Sequence, residues 1–147
     1  MRLSDKTGRG YSAAIKLLLS YSAFECACKA SFVVANTTEL SLNKRDLNWV
    51  VNRLVKVFAP KTVARENLVN SVTSARLKKK LEEFLSGGHV DLQPICAALR
   101  NMIAHGHWTP NGTNALTVEC IKIYDLLSYS LLKESDKLLE LEVKKLG

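Results

Sequence analysis

Residues 11–36, YSAAIKLLLSYSAFECACKASFVVAN, carry a helical pattern over their whole length. Apolar and small side chains recur there at intervals of three and four residues, along one stripe formed by Ile15, Leu18, Leu19, Ser22 and Cys26. Alanines fill the positions between them. The pattern predicts a long, mostly buried helix, and such a helix has to bury its surface against other helices.

The same spacing continues through most of the chain. A second helix is predicted from Ser41 or Asn43 to Ala59, where Pro60 ends it. A third is predicted from about Leu68 to Leu85, before Gly87 and Gly88. A fourth helix is predicted after the N-cap Asp91, and it ends at Gly106. A loop is predicted at 108–112, and a fifth helix from Thr113 or Asn114 towards Lys145.

These elements predict an all-α fold, an antiparallel bundle of about five helices joined by short connections. The chain of 147 residues is expected to form a single domain over 1–147, with 1–10 as a flexible N-terminal tail. The tail is polar and the apolar stretches are interrupted by charged residues, so we expect neither a signal peptide nor a membrane span, and a cytoplasmic location.

The net charge of +7 is concentrated in the middle of the chain. Residues 44–80 contain ten basic and two acidic side chains, a net charge of +8, whereas 1–43 carry +2 and 81–147 carry −3. A surface of this kind attracts polyanions. The candidate nucleic-acid-binding residues are Arg76, Lys78, Lys79 and Lys80. The same run also fits the solvated face of a helix, balanced by Glu82 and Glu83.

The candidate chemistry lies in residues 99–108, LRNMIAHGHW, near the predicted end of the fourth helix. On an ideal helix Arg100, Asn101 and His105 lie opposite the apolar face. Ala97 and Ala104 would line the wedge between Arg100 and His105, so a ligand or a second copy could approach closely. Asn101 and His105 are four residues apart and can touch, so Asn101 could orient the imidazole or share a phosphate oxygen with it.

An Arg and a His in this arrangement suit phosphodiester cleavage in RNA. The imidazole can take a proton from a 2′-hydroxyl or give one to the leaving oxygen, and the guanidinium can bind the phosphate. Neither a cofactor nor a metal is expected, and the four cysteines follow no zinc-binding spacing. One His cannot easily act on both sides of the phosphorus, so we expect a homodimer that places two Arg100 and two His105 in one cleft.

The segment Arg100-Asn101-Met102-Ile103-Ala104-His105 resembles the R-x4-6-H motif of HEPN-domain proteins, in the form with a polar residue after the Arg. In that family the motif ends one helix and precedes a long final helix, and the resemblance extends over residues 11–145. It implies a helical bundle that dimerises about the motif helix. Many members are metal-independent ribonucleases, among them toxins, phage-defence effectors and CRISPR-associated nucleases.

The resemblance assigns catalysis to Arg100, His105 and Asn101, with RNA as the substrate and an antitoxin or regulatory protein as a further partner. One branch extends the motif to R-x4-H-x-Y, and here His107 stands in place of that Tyr. Family members often place a polar or acidic residue of the first helix against the motif, which gives Glu25 a supporting role. His107 is also assigned a supporting role. Glu25 facing solvent is the alternative.

Two other interpretations stay open. The chain could be a non-catalytic module of the same fold, which dimerises through the wedge and binds a partner protein, a nucleotide or RNA. It could also be a basic RNA-binding bundle without chemistry, in which the Arg76–Lys80 segment governs affinity and His105 is dispensable.

Overall fold

The computed structural model describes residues 5–105 and 118–147, and this part of the chain is helical without a strand. The helices are α1 (Asp5–Ala30), α2 (Lys44–Val57), α3 (Val63–Asn70), α4 (Ala75–Leu85), α5 (Leu92–Ala104) and α6 (Val118–Leu146), with one 3₁₀ turn at Ala35–Thr37. They share one apolar core, which confirms the predicted all-α bundle.

A long first helix was predicted, but α1 ends at Ala30 and not near Asn36, and its buried face also differs from the predicted one. The structure buries Leu17, Tyr21 and Phe24, whereas Ile15 and Leu19 of the predicted stripe are 53% and 66% exposed. Because apolar residues surround much of this helix, their spacing alone does not select the face that meets the other helices. The helix also covers residues 5–10, which we expected in the N-terminal tail.

The contacts of α6 define the directions of the longest helices. Lys16 of α1 lies close to Asp125, and Ser31, the residue after α1, donates to the Leu138 carbonyl, so α1 and α6 run in the same direction. Along α2 the order is reversed: Ser130 Oγ donates to the Ser41 carbonyl before α2, and the Lys122 ammonium lies over the ring of Trp49. Of these two helices, α2 is therefore antiparallel to α6, as expected, and α1 is not.

The predicted third helix is two helices in the structure. Residues 71–74 separate α3 from α4. Ser74 begins the second of these helices as its N-cap, since its side chain accepts a hydrogen bond from the Leu77 N–H. Val72 lies in this break and is buried, so it continues the apolar spacing without being helical. The predicted end of the segment is confirmed: Gly87 has a φ of +86°, and the Gly88 N–H donates to the Glu83 carbonyl.

Helix α5 is the central helix of the bundle. As predicted, Asp91 is its N-cap and accepts a hydrogen bond from the Gln93 N–H at 3.2 Å. It contacts α1, α3 and α4, and every residue from Leu92 to Leu99 is buried. Asn43, one of two predicted caps, begins α2. The predicted loop at 108–112 and the start of the fifth helix lie outside the described residues.

Candidate active site

The last turn of α5 is the part of this helix that reaches the surface. Arg100 and Asn101 are partly exposed, and Ala104 and His105 are exposed. His105 is the C-cap residue, and its N–H donates to the Asn101 carbonyl at 3.0 Å. The polar residues predicted as the site therefore lie together where the central helix of the core meets solvent.

Arg100 is held against α1. Its Nη1 lies 3.3 Å from Oε1 of Glu25, and its Cζ lies 4.6 Å above the centre of the Tyr21 ring. Its Nε is buried and has no hydrogen-bond partner among the described residues. The side chain is 31% exposed, so the guanidinium is fixed by an ion pair and a ring contact but still meets solvent.

Tyr21 and Gln93 form the buried base under this guanidinium. Gln93 Nε2 donates to the Tyr21 hydroxyl at 3.0 Å, and both residues are almost inaccessible. The pKa of Tyr21 is raised to about 12, mainly because the side chain is buried; the Glu25 charge adds to the increase, and the hydrogen bond from Gln93 and the Arg100 charge oppose it. Tyr21 therefore stays neutral at physiological pH and offers Arg100 an uncharged ring.

Asn101 has a structural contact that the sequence did not predict. Its Nδ2 donates to the Ser71 carbonyl at 2.9 Å, in the segment between α3 and α4. Ser71 in turn donates its hydroxyl proton to the carbonyls of Leu68 and Ala98, at 2.6 and 3.2 Å. Asn101 therefore ties α5 to the end of α3, and its amide protons are partly committed to that link rather than to His105 or a phosphate.

His105 faces a different neighbour from Arg100. It lines an open cleft of about 400 Å³ whose other lining residues, all polar, are Asn67, Asn70, Ser71 and Thr73. Their amides and hydroxyls can donate and accept hydrogen bonds. Within one chain, Arg100 thus lies against α1 and His105 lies against α3 and the segment after it.

The alanine-lined wedge predicted between Arg100 and His105 is only half open. Ala104 is exposed, but Ala97 is 4% exposed and belongs to the core. A helical projection gives the direction of Ala97 but does not show that the chain's own helices cover it. A second copy can therefore approach this helix at its last turn, beside Ala104 and His105, and not along Ala97.

Glu25 reaches the motif helix through Arg100. The side chain therefore lies against the predicted motif, as expected for an acidic residue of the first helix, and it is also partly open to solvent. The carboxylate is 40% exposed, so the ion pair positions the guanidinium more than it stabilises the fold.

The basic residues of α4 differ in their surroundings. Arg76 and Lys79 are exposed, Lys78 is partly buried, and Lys80 lies 3.7 Å from Asp91, the residue that caps α5. Lys80 therefore contributes to the start of the central helix. The exposed side of α4 also carries Glu82 and Glu83, as the interpretation of a solvated helix face predicts.

Sequence reasoning missed Tyr21, Gln93 and Ser71. A local signal existed for Tyr21, because it precedes Glu25 by four residues and the two lie on one side of α1. Gln93 was visible as an amide within the apolar first turn of a buried helix. Nothing local pointed to Ser71, whose role depends on the packing of α3 against α5.

The remaining predicted site residue, His107, lies outside the described residues, as does Trp108. In the part of the chain that the structure describes, no group of three or more His, Cys, Asp or Glu side chains could hold a metal ion. No helix of that part is long and apolar enough to span a membrane. Comparison with protein-family models, curated proteins and solved structures found no match.

Proposed function

We propose that this protein is a metal-independent endoribonuclease of the HEPN type, with His105 as the acid–base residue and Arg100 as the phosphate-binding residue. The observation that carries the proposal is the position of His105, exposed on a polar cleft at the end of the central helix, one turn beyond an arginine that α1 holds in place. A fixed positive charge that can bind a phosphate and an exposed imidazole that can transfer a proton are the groups that cleavage of RNA uses.

The reaction balances with these groups alone. A neutral imidazole removes the proton of the 2′-hydroxyl, and the 2′-oxygen attacks the adjacent phosphorus. The bond from phosphorus to the 5′-oxygen breaks, and that oxygen takes a proton from a protonated imidazole. The products are a 2′,3′-cyclic phosphate and a 5′-hydroxyl. DNA lacks the attacking hydroxyl and stays intact.

A homodimer is part of the proposal, because base and acid act on opposite sides of the phosphorus. Each chain offers one His105, and its own Arg100 faces a different neighbour, so a second copy at the last turn of α5 would supply the second imidazole. The last turn of α5 leaves room for that second copy, because Ala104 and His105 are both exposed there.

On this proposal the substrate is cellular or phage RNA and the protein acts in the cytoplasm, as a toxin or phage-defence effector. An enzyme that cuts RNA endangers its own cell, so a bound antitoxin or regulatory protein would hold it inactive. The positive middle segment supports an RNA partner through its attraction for phosphates.

The test is incubation of the wild type and a His105→Ala variant with labelled structured RNA in EDTA. We expect fragments with 2′,3′-cyclic phosphate ends from the wild type only, and no cleavage of DNA of the same sequence. Fragments from both proteins at equal rates, or ends with a 3′-hydroxyl, would contradict the proposed mechanism.

A non-catalytic binding module of the same fold is the second candidate, and the ion pair of Arg100 with Glu25 favours it. A guanidinium that is already occupied has less to offer a phosphate. Cleavage of RNA by the wild type, together with its loss in an Arg100→Ala variant, would favour the nuclease. Intact RNA with the wild type, together with tight binding of a partner that Arg100→Ala abolishes, would favour the module.

A further inference from the structure

The basic segment of residues 44–80 is divided by the fold between two surfaces, and one of them includes an aromatic residue. On α2, Arg45, Trp49, Arg53 and Lys56 follow one another at intervals of four, four and three residues, which places them on one face of the helix. Lys122 and Tyr129 of α6 lie seven residues apart and therefore also share a face. Together these six residues form the α2–α6 face.

Contacts between the two helices join these residues into one surface. The Lys122 Nζ lies 4.2 Å from the centre of the Trp49 ring, and the Arg53 Cζ lies 5.7 Å from it. Arg45, Lys56 and Lys122 are exposed, Trp49 is partly exposed, and Tyr129 is 58% exposed. Cations thus surround an accessible aromatic ring along about 16 Å of α2, from its rise per residue.

Two carboxylates that adjoin the exposed cations of this face have partners of their own. Asp46 accepts a hydrogen bond from Nδ2 of Asn43 at 2.8 Å, at the start of α2. Asp125 of α6 lies 3.9 Å from Lys16 of α1. Among the described residues, neither carboxylate is paired with Arg45 or Lys56, and both of these cations are exposed.

The basic face of α4 differs on each of these points. Lys80 is paired with Asp91, and Glu82 and Glu83 lie on the same short helix. The aromatic residue of α4, Phe84, is buried in the core. This face can attract a polyanion, but it offers no ring on which a base can stack.

We propose that the α2–α6 face binds single-stranded RNA, with phosphates on Arg45, Lys56 and Lys122 and an unpaired base stacked on Trp49. A cationic surface with an accessible ring is the combination that single-stranded nucleic acid uses, because bases in a duplex are already stacked. The Lys122 ammonium covers the ring now, and its exposed side chain can move to a phosphate when a base replaces it. That the strand is RNA rests on the proposed function.

The test compares two double charge reversals that change the net charge equally. Arg45→Glu with Lys56→Glu alters the α2–α6 face, and Arg76→Glu with Lys79→Glu alters α4; all four positions are exposed. Both are made in the His105→Ala background, so that the strand is not cut. Binding of a labelled oligouridylate of roughly twelve nucleotides is measured against salt concentration.

We expect the α2 variant to bind at least about tenfold more weakly, with a salt slope lower by about one unit, and the α4 variant to bind within about threefold of its parent. Equal losses, a larger loss on α4, or no binding by the parent protein would overturn the proposal. Circular dichroism of each variant confirms that the helices are intact.

Fluorescence tests the stacking directly. The chain has two tryptophans, Trp49 and Trp108, so a Trp108→Phe variant leaves Trp49 as the single reporter. Saturating oligouridylate should quench its emission, whereas an unchanged emission would overturn the proposal. Failure of this proposal and failure of the proposed function can be told apart. If the wild type cuts RNA but the α2 variant binds it normally, the α2–α6 face is refuted and the nuclease is not. If the α2 variant loses binding but the wild type cuts no RNA, the nuclease is refuted and the face is not.

Discussion

The two ends of α5 differ in what surrounds them. From Leu92 to Leu99 every side chain is buried, including the amide of Gln93, whereas Arg100, Asn101 and His105 reach solvent. The first part contacts three other helices and supports the core. The last turn is where this helix can meet a substrate. Changes in the first part should therefore mainly affect stability, and changes at His105 in the last turn should mainly affect activity.

The largest effect on stability is expected at the buried end. Leu99→Ala removes a fully buried side chain from the core, and we expect the free energy of unfolding to fall by about 2–5 kcal/mol, measured by denaturant titration. Leu139→Ala is the matched control, because Leu139 is 45% exposed, and it should change stability by less than about 0.5 kcal/mol. Similar losses for both variants would contradict the position of Leu99 in the core.

The residue beneath Arg100 should give the next largest effect, and it depends on pH. The pKa of Tyr21 is raised to about 12 from 10.0, so the unfolded chain releases the phenolic proton first. Its contribution to stability is complete below pH 10 and is lost as the pH rises towards 12. Across this window the wild type should lose about 2 kcal/mol more than Tyr21→Phe does. A Tyr129→Phe control should keep the wild-type decline, and equal declines for wild type and Tyr21→Phe would contradict the assignment.

A smaller effect is expected where the last turn of α5 is tied to α3. Asn101→Ala removes the hydrogen bond to the Ser71 carbonyl and should lower the free energy of unfolding by about 1 kcal/mol. Asn67→Ala, on the exposed wall of the same cleft, should change it by less than about 0.5 kcal/mol. If Asn101→Ala leaves stability unchanged but lowers cleavage strongly, its role is in catalysis and not in this link.

Local chemistry made much of the fold predictable. Asp91 and Asn43 were recognisable as caps, and Gly87 as the residue that ends a helix, because each acts through its own backbone neighbours. The break at 71–74 was missed because buried Val72 keeps the apolar spacing across it, although Ser74 was available as a cap.

The site was less predictable because it depends on contacts between distant segments. The sequence placed Arg100, Asn101 and His105 on one surface, which the structure shows as the exposed turn of α5. It could not show that Glu25 and Tyr21 hold Arg100, or that Ser71 binds Asn101, since these contacts join residues 30 or more positions apart. For the same reason the burial of Ala97 was not visible in a helical projection.

On the proposed function, His105 in the last turn of α5 performs chemistry that the fold does not need. The most direct measurement determines RNA cleavage in EDTA and the free energy of unfolding on the same preparations of wild type and His105→Ala. We predict that the variant loses cleavage by about 10²–10⁴-fold while its stability stays within about 0.5 kcal/mol of the wild type. Undiminished cleavage by the variant, or no cleavage by the wild type, would contradict the claim.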